Sequence, residues 1–210
     1  MRLLYVLPVC SVNDARRRRP IRNLKPADRV VSLRPSHSVA TPLLNREMYR
    51  LAILTISSSG ARGEREDTGG QAIRDKLPAP DYEEVRYEVV ADDADTITAR
   101  FREWADSSEV DLIVSTGGTG MGQRDVTPEA ALGAIDREVP GMAETMRAQT
   151  LKFTPMAMLS RSVVGIRGHT LIITLPGSPR GVGECLDVIM PVLPHAIELL
   201  QRESVQEHPR

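Results

Sequence analysis

From Tyr49 onward the chain falls into short apolar blocks separated by polar, glycine-rich or helix-periodic stretches. Residues 50–57 (RLAILTIS) form an apolar run with the length of a buried strand, followed by a Ser/Gly-rich loop through Gly70. Residues 71–77 predict a helix, which Pro78 and Pro80 stop. Residues 85–91 predict a strand. Residues 94–107 predict a helix with Ile97, Phe101, Trp104 and Ala105 on one face at 3.6-residue spacing. A further buried strand is expected over 110–115 (VDLIVS), running straight into a glycine loop. Thr127, Pro128 and Glu129 read as a helix start. The Thr hydroxyl can cap, Pro fits the first helical position, and Glu favours the positive helix end. More helix follows Pro140 and Gly141. Strands at 163–166 and 170–175 flank a turn at Arg167 and Gly168; a loop over 176–179 ends the second, and helices then carry the chain to Gln201. Repeated alternation of strand and helix predicts an α/β fold in three layers, a mostly parallel sheet flanked by helices.

The first 47 residues differ in character. A short apolar stretch, 3–10, precedes four consecutive arginines (Arg16, Arg17, Arg18, Arg19), and Pro20, Pro26, Pro35 and Pro42 then interrupt any long element. A secretory signal places its positive charge before the apolar stretch, the reverse of this arrangement. An organelle transit peptide and a nucleic-acid tether are the sharper alternatives. The expectation is a disordered extension, with Met48 a possible true start. The domain is then expected over 48–202, with a flexible tail at 203–210.

Composition narrows the function classes. A net charge of −1 gives no global field for nucleic acid or an anionic membrane, and 3% aromatic content argues against a base-stacking platform. No apolar run approaches the ~20 residues of a membrane helix. Cys10 and Cys185 lack metal-ligand spacing and are expected as free thiols in a reducing compartment, with a cytoplasmic location. The histidines (His37, His169, His195, His208) have no Ser or Cys partner in sequence context, so triad chemistry has no support.

Candidate chemistry collects where an open α/β sheet binds ligands, beyond the carboxyl ends of its strands. Thr116, Gly117, Gly118, Thr119 and Gly120 follow one strand; Ala91, Asp92 and Asp93 follow another; Pro176, Gly177 and Ser178 follow a third. The glycine loop is neither a Walker A loop, since Gln123 and Arg124 stand where Lys and Ser/Thr are needed, nor a GxGxxG dinucleotide motif. It offers bare backbone N–H groups to an anion, flanked by two threonine hydroxyls; a tight packing turn is the alternative. Arg124 can offset phosphate charge. Asp92 and Asp125, on separate loops, can supply the one or two carboxylates that nucleotide-bound magnesium takes. Asp93 is expected as a helix cap. Ser178 lies in either a ligand-binding or a purely structural turn, while Ser57 and the segment around Asp67 either border the site or start the first helix.

These residues resemble the molybdopterin adenylyltransferase family of molybdenum-cofactor biosynthesis (MogA/MoaB-like). The resemblance spans residues 49–200. It rests on TISxxxxRGExEDTGG (55–70), ADD (91–93), STGGTGxxxRDVTPEA (115–130), PGMAETMR (140–147) and LPGSPRG (175–181), in that order. It implies a doubly wound α/β fold that assembles as a homotrimer or hexamer. It also implies transfer of AMP from Mg-ATP to the terminal phosphate of molybdopterin, with Mg2+ as cofactor and a downstream metal-insertion enzyme as a partner. By position, Asp92 and Asp125 match the acids linked to catalysis. The 116–120 loop and Pro176, Gly177 and Ser178 match substrate-binding loops. Ser58, Gly69 and Ala91 depart from the residues many relatives carry (Asp, Ser and Pro), which puts any contact of that first acid in doubt. A non-catalytic, pterin-binding MoaB-like assembly protein is the rival reading; a CinA-like domain ranks lower because no further catalytic domain follows Leu200. Sequence alone leaves open whether the pathway uses molybdenum or tungsten.

Overall fold

The structure, a computed structural model, describes residues 48–202. The expectations for 1–47, including Cys10 and His37, and for the tail 203–210 with His208, lie outside the described residues.

Six strands form one sheet in the order β2-β1-β3-β6-β5-β4. They are β1 (Tyr49–Ile56), β2 (Tyr82–Val90), β3 (Leu112–Thr116), β4 (Arg137–Glu138), β5 (Val164–Arg167) and β6 (Thr170–Leu175). The helices are α1 (Ser58–Ala61), α2 (Thr68–Lys76), α3 (Ala94–Asp106), α4 (Thr127–Ala134), α5 (Pro140–Thr150), α6 (Pro179–Ile189) and α7 (Leu193–Arg202). β1 runs parallel to β2 and β3, and β3 parallel to β6, whereas β5 is antiparallel to both β6 and β4. β5 and β6 form a hairpin across the predicted turn, where Gly168 takes a positive φ of 54°.

Alternation within the central strands splits the core between two faces of the sheet. Leu51 and Ile53 of β1 pack with Ile73 of α2, Met146 of α5, Leu186 of α6 and Ile197 of α7. Ala52, Leu54 and Ile56 point to the other face, against Ile97, Phe101 and Trp104 of α3 and Ala131 of α4. The predicted apolar stripe of α3 is thus its buried face. The sheet is covered on both sides, which explains why its central strands read as continuous apolar runs.

The connection out of β1 leads to the edge strand β2, and the next returns past β1 to β3. Their helices, α2 and α3, pack on opposite faces. The crevice between the carboxyl ends of β1 and β3 is therefore a topological switch point, where open α/β sheets bind ligands.

Three local readings are corrected. The first long helix begins at Thr68 rather than Gln71, because Asp67 caps it through Gly70 N–H at 2.8 Å. Thr127 does not cap α4: the N-cap is Val126, without a side-chain cap bond, and the buried Thr127 hydroxyl donates to Gly117 O at 2.9 Å. The stretch 57–70, expected as one loop, contains the four-residue helix α1, capped by Ser57.

Candidate active site

The segment after β3 is shaped by backbone that only glycine supplies. Gly117 has φ of 104°, and a Cβ on it would lie 2.2 Å from Ile56 O. Gly118 has φ of 63°, with Thr127 Oγ1 2.4 Å from where its Cβ would stand. Both the strain and the space exclude a side chain there.

Carbonyls and hydroxyls of this loop are used to hold it in place. Thr116 Oγ1 donates to Pro176 O at 2.7 Å, and Gly117 N–H donates to Leu175 O at 3.1 Å. Thr127 receives the loop from the other side, through its hydroxyl on Gly117 O and its N–H on Gly118 O at 3.1 Å. Thr119 is 4% exposed, with its hydroxyl toward Leu175 O at 3.5 Å. The Thr116 and Thr119 hydroxyls thus brace the loop against the end of β6. The backbone N–H groups of Gly118, Thr119 and Gly120 have no acceptor among the described residues. Unpaired amides at a strand end are the chemistry an anion needs.

Two of the predicted acids border the same cavity, of about 570 Å³, and each keeps one oxygen without a protein partner among the described residues. Asp92 Oδ2 accepts from Ser58 N–H at 2.8 Å and Ser58 Oγ at 2.6 Å, leaving Oδ1. Asp125 Oδ2 accepts from Gly122 N–H at 2.7 Å, again leaving Oδ1. Ser58, at a position where the resemblance left the contact open, therefore anchors Asp92. Asp93 is turned away, as expected. Its carboxylate caps α3 through Thr96 N–H at 2.9 Å and Thr96 Oγ1 at 2.6 Å. Those bonds hold its carboxyl below the usual range.

Asp67 also lines this cavity, but with both carboxylate oxygens engaged. Oδ1 accepts from Gly70 N–H, and Oδ2 accepts from Thr55 Oγ1 at 2.8 Å and Tyr87 OH at 2.9 Å. Burial, and then the Asp67 carboxylate, push the Tyr87 phenol up, so it remains a donor; the Arg74 guanidinium lies 4.2 Å from the ring centroid. Ser57 Oγ accepts from Gly60 N–H at 3.1 Å, and Ser178 Oγ accepts from Gly181 N–H at 3.2 Å as the cap of α6. Gly177 lies against Gly117, with its Cβ position 3.3 Å from Gly117 Cα. Both loops thus converge on one crevice.

Arg124 is exposed on the cavity rim, where Arg62 and Arg65 join it. Sequence reading misses the latter pair; their only signal is the Arg-Gly-Glu-Arg-Glu-Asp stretch, which reads as no more than a border. Arg62 is paired with Glu64 at 2.7 Å, whereas Arg124 and Arg65 have no partner among the described residues.

A second, more apolar cavity of about 470 Å³ adjoins the first and shares Gly118, Asp125, Gly177 and Ser178 with it. Met146, Met156, Leu159 and Cys185 contribute its apolar wall. Burial pushes the Cys185 thiol up to about 11, so it stays protonated at neutral pH. His169 lies in the β5–β6 turn, outside both cavities, with Nδ1 3.0 Å from Leu200 O.

Comparison with known proteins agrees with this architecture. Residues 52–195 match the family model described as "Probable molybdopterin binding domain". A molybdopterin adenylyltransferase of Helicobacter pylori J99 is 40% identical over 162 residues, covering 76% of this chain and 92% of that protein. The molybdopterin adenylyltransferase of Escherichia coli K12 is 34% identical, covering 76% and 89%. The solved structure of the molybdopterin biosynthesis enzyme MoaB from Thermus thermophilus superposes with a TM-score of 0.70 at 52% identity, covering 74% of this chain and 98% of that one. The chain belongs to the molybdopterin-binding domain family of molybdenum-cofactor biosynthesis, with the fold of the MogA and MoaB proteins.

Proposed function

We propose that the protein is a molybdopterin adenylyltransferase that transfers AMP from Mg-ATP to the terminal phosphate of molybdopterin, releasing pyrophosphate. One observation carries the reading. Two half-engaged carboxylates and three acceptor-free amides border adjoining cavities at the switch point, one polar and one apolar. Two substrates that meet through their phosphates, each with a flat ring, need such a pair of spaces. The family relatives named above as adenylyltransferases support the same reaction.

The residues fit magnesium. Nucleotide-bound Mg2+ takes one or two carboxylates and fills its remaining positions with phosphate oxygens and water. Asp92 Oδ1 and Asp125 Oδ1 are a set of that kind, and no cluster of three or more His, Cys, Asp or Glu competes among the described residues. When bound, the ion would offset charge on the triphosphate. The Gly118, Thr119 and Gly120 amides would hold a phosphate oxygen, and Arg124 would neutralise charge at the rim. A phosphate monoester is already an anionic nucleophile, so no side chain need remove a proton. Its oxygen forms a bond to the α-phosphorus while the bond to the β-phosphate oxygen breaks. Catalysis then rests on alignment and charge stabilisation, and among the described residues neither cavity is lined by a histidine or a reactive cysteine.

On family grounds we infer a cytoplasmic homotrimer, with hexamer as the alternative, that passes its product to a metal-insertion enzyme. Among the described residues no helix is long and apolar enough to cross a membrane. Purified protein mixed with molybdopterin and Mg-ATP should yield equimolar pyrophosphate and adenylylated pterin. Pterin binding without either product would favour an assembly role instead.

A further inference from the structure

The turn that carries Arg124 and Asp125 has little internal support. Between Gly120 and Val126 its own bonds are Gly122 N–H to the Asp125 carboxylate and Asp125 N–H to Gly122 O at 3.0 Å. Met121, Gly122, Gln123 and Arg124 are all exposed, and glycines at 120 and 122 make an untethered backbone costly to order. Something outside the turn must fix it if Asp125 is to present one oxygen in a constant place.

Arg161 supplies that support from a segment 36 to 41 residues away in sequence. Its Nε donates to Gly120 O at 2.6 Å and its Nη2 to Asp125 O at 2.5 Å, so one planar group ties down both ends of the turn. Nη1 pairs with the Glu129 carboxylate of α4, which holds that carboxyl below its usual range. The backbone N–H of Arg161 donates to Thr119 O at 2.9 Å. The neighbours Ser160 and Ser162, bonded to each other at 2.9 Å, line the apolar cavity instead. One three-residue strip therefore reaches the 120–126 turn through Arg161 and the apolar cavity through its two serines.

We propose that Arg161 is a positioning residue: its guanidinium sets the conformation of the 120–126 turn and thereby the place of the Asp125 carboxylate. The inference rests on the proposed role of Asp125. Arginine suits the task because its fork has donors fixed in one plane, which reach two carbonyls and a carboxylate together. Lysine offers donors from a single nitrogen and cannot span all three. No atom of Arg161 needs to touch substrate. A displacement of about 1 Å at a reacting group can cost on the order of 100-fold in rate, so loss of the clamp should be felt in chemistry more than in binding.

The test compares full-length wild type, Arg161→Met, Arg161→Lys and Glu129→Gln. It combines amide hydrogen exchange with kcat, KM for molybdopterin and the Mg2+ concentration giving half-maximal rate. In Arg161→Met, the two bonded amides of the turn, Gly122 and Asp125, should exchange at least ~10-fold faster while those of β3 and β6 stay protected. Its kcat should fall at least ~10-fold and half-saturating Mg2+ should rise, with KM for molybdopterin within ~2-fold. Arg161→Lys should fall between, and Glu129→Gln, which spares both carbonyl bonds, should stay within ~2-fold of wild type in kcat. If Arg161→Met cannot be purified folded, Arg161→Lys carries the same comparison. Unchanged exchange at Gly122 and Asp125 overturns the proposal, as does an equal loss in Glu129→Gln or a rise in KM alone. A wild type that forms no adenylylated pterin would instead remove the proposed reaction, and the exchange measurement would still decide the clamp.

Discussion

The segments that leave β1 and β3 are built from the same residue types, glycine, hydroxyl and acid, yet they treat their carboxylates in opposite ways. After β1, Asp67 accepts from Gly70, Thr55 and Tyr87, so both of its oxygens serve to start α2 and tie it to β1 and β2. After β3, the scaffold bonds come from Thr116, Thr127 and Arg161, and Asp125 is asked only to hold Gly122. Both acids border the same cavity. The difference teaches that an acid's place beyond a strand end does not assign its role; the number of donors already on it does. A carboxylate with an open oxygen retains more capacity to bind a cation, whereas one engaged at both oxygens has committed them to the scaffold.

The largest expected effect comes from breaking the second loop's backbone. Gly117→Ala puts a Cβ 2.2 Å from Ile56 O at a φ of 104°, so the loop must move. Turnover should fall on the order of 100-fold in the coupled pyrophosphate assay. Near-normal turnover would mean that the loop geometry is not used in chemistry.

Next comes the pair that sets the two acids against each other. Asp125→Asn should lower turnover at least ~10-fold, equivalent to ~1.4 kcal/mol of barrier, with little change in urea midpoint. Asp67→Ala should behave in the opposite sense, losing about 1–2 kcal/mol of stability through the missing cap and its partners while its turnover falls less than that of Asp125→Asn. Reversed outcomes would dissolve the contrast.

The smallest effect lies at the far end of the sheet. Burial alone would raise the Asp111 carboxyl, but bonds from the Arg50 side chain and backbone outweigh it and hold it below the ordinary value. A carboxyl lowered on folding stabilises the native state above its unfolded value, near 3.8, and the contribution is lost as pH falls through the lower folded value. Chemical denaturation across this acid range should show wild-type stability declining with pH. Asp111→Asn should be less stable at neutral pH and flatter across the window. An identical slope in both would assign the decline to other acids.

Much of the fold was legible because its signals are local. Buried strands such as β1 and β3 appear as apolar runs, and the α3 stripe appears as its 3.6-residue period. β4 leaves no trace in the sequence pattern because two exposed residues, Arg137 and Glu138, carry no period at all. Thr127 reads as a cap in sequence because Thr-Pro-Glu has the composition of a capped start. Only the tertiary approach of Gly117 shows that its hydroxyl is committed elsewhere. The site divides in the same way. Asp92, Asp125 and the glycine loop could be found from their order after strands. The Thr55 and Tyr87 bonds to Asp67, the Ser58 anchor and the Arg161 clamp depend on partners 12 to 41 residues distant, which spacing does not encode.

The claim that matters most is that Asp92 and Asp125 keep their open oxygens for a nucleotide-bound cation. Mn2+ binding measured by electron paramagnetic resonance, with a non-hydrolysable ATP analogue and without it, tests this independently of turnover. Wild type should bind Mn2+ in a nucleotide-dependent manner, and Asp92→Asn and Asp125→Asn should each weaken that binding at least ~10-fold, or ~1.4 kcal/mol. Nucleotide-dependent affinity equal to wild type in both variants would contradict the account.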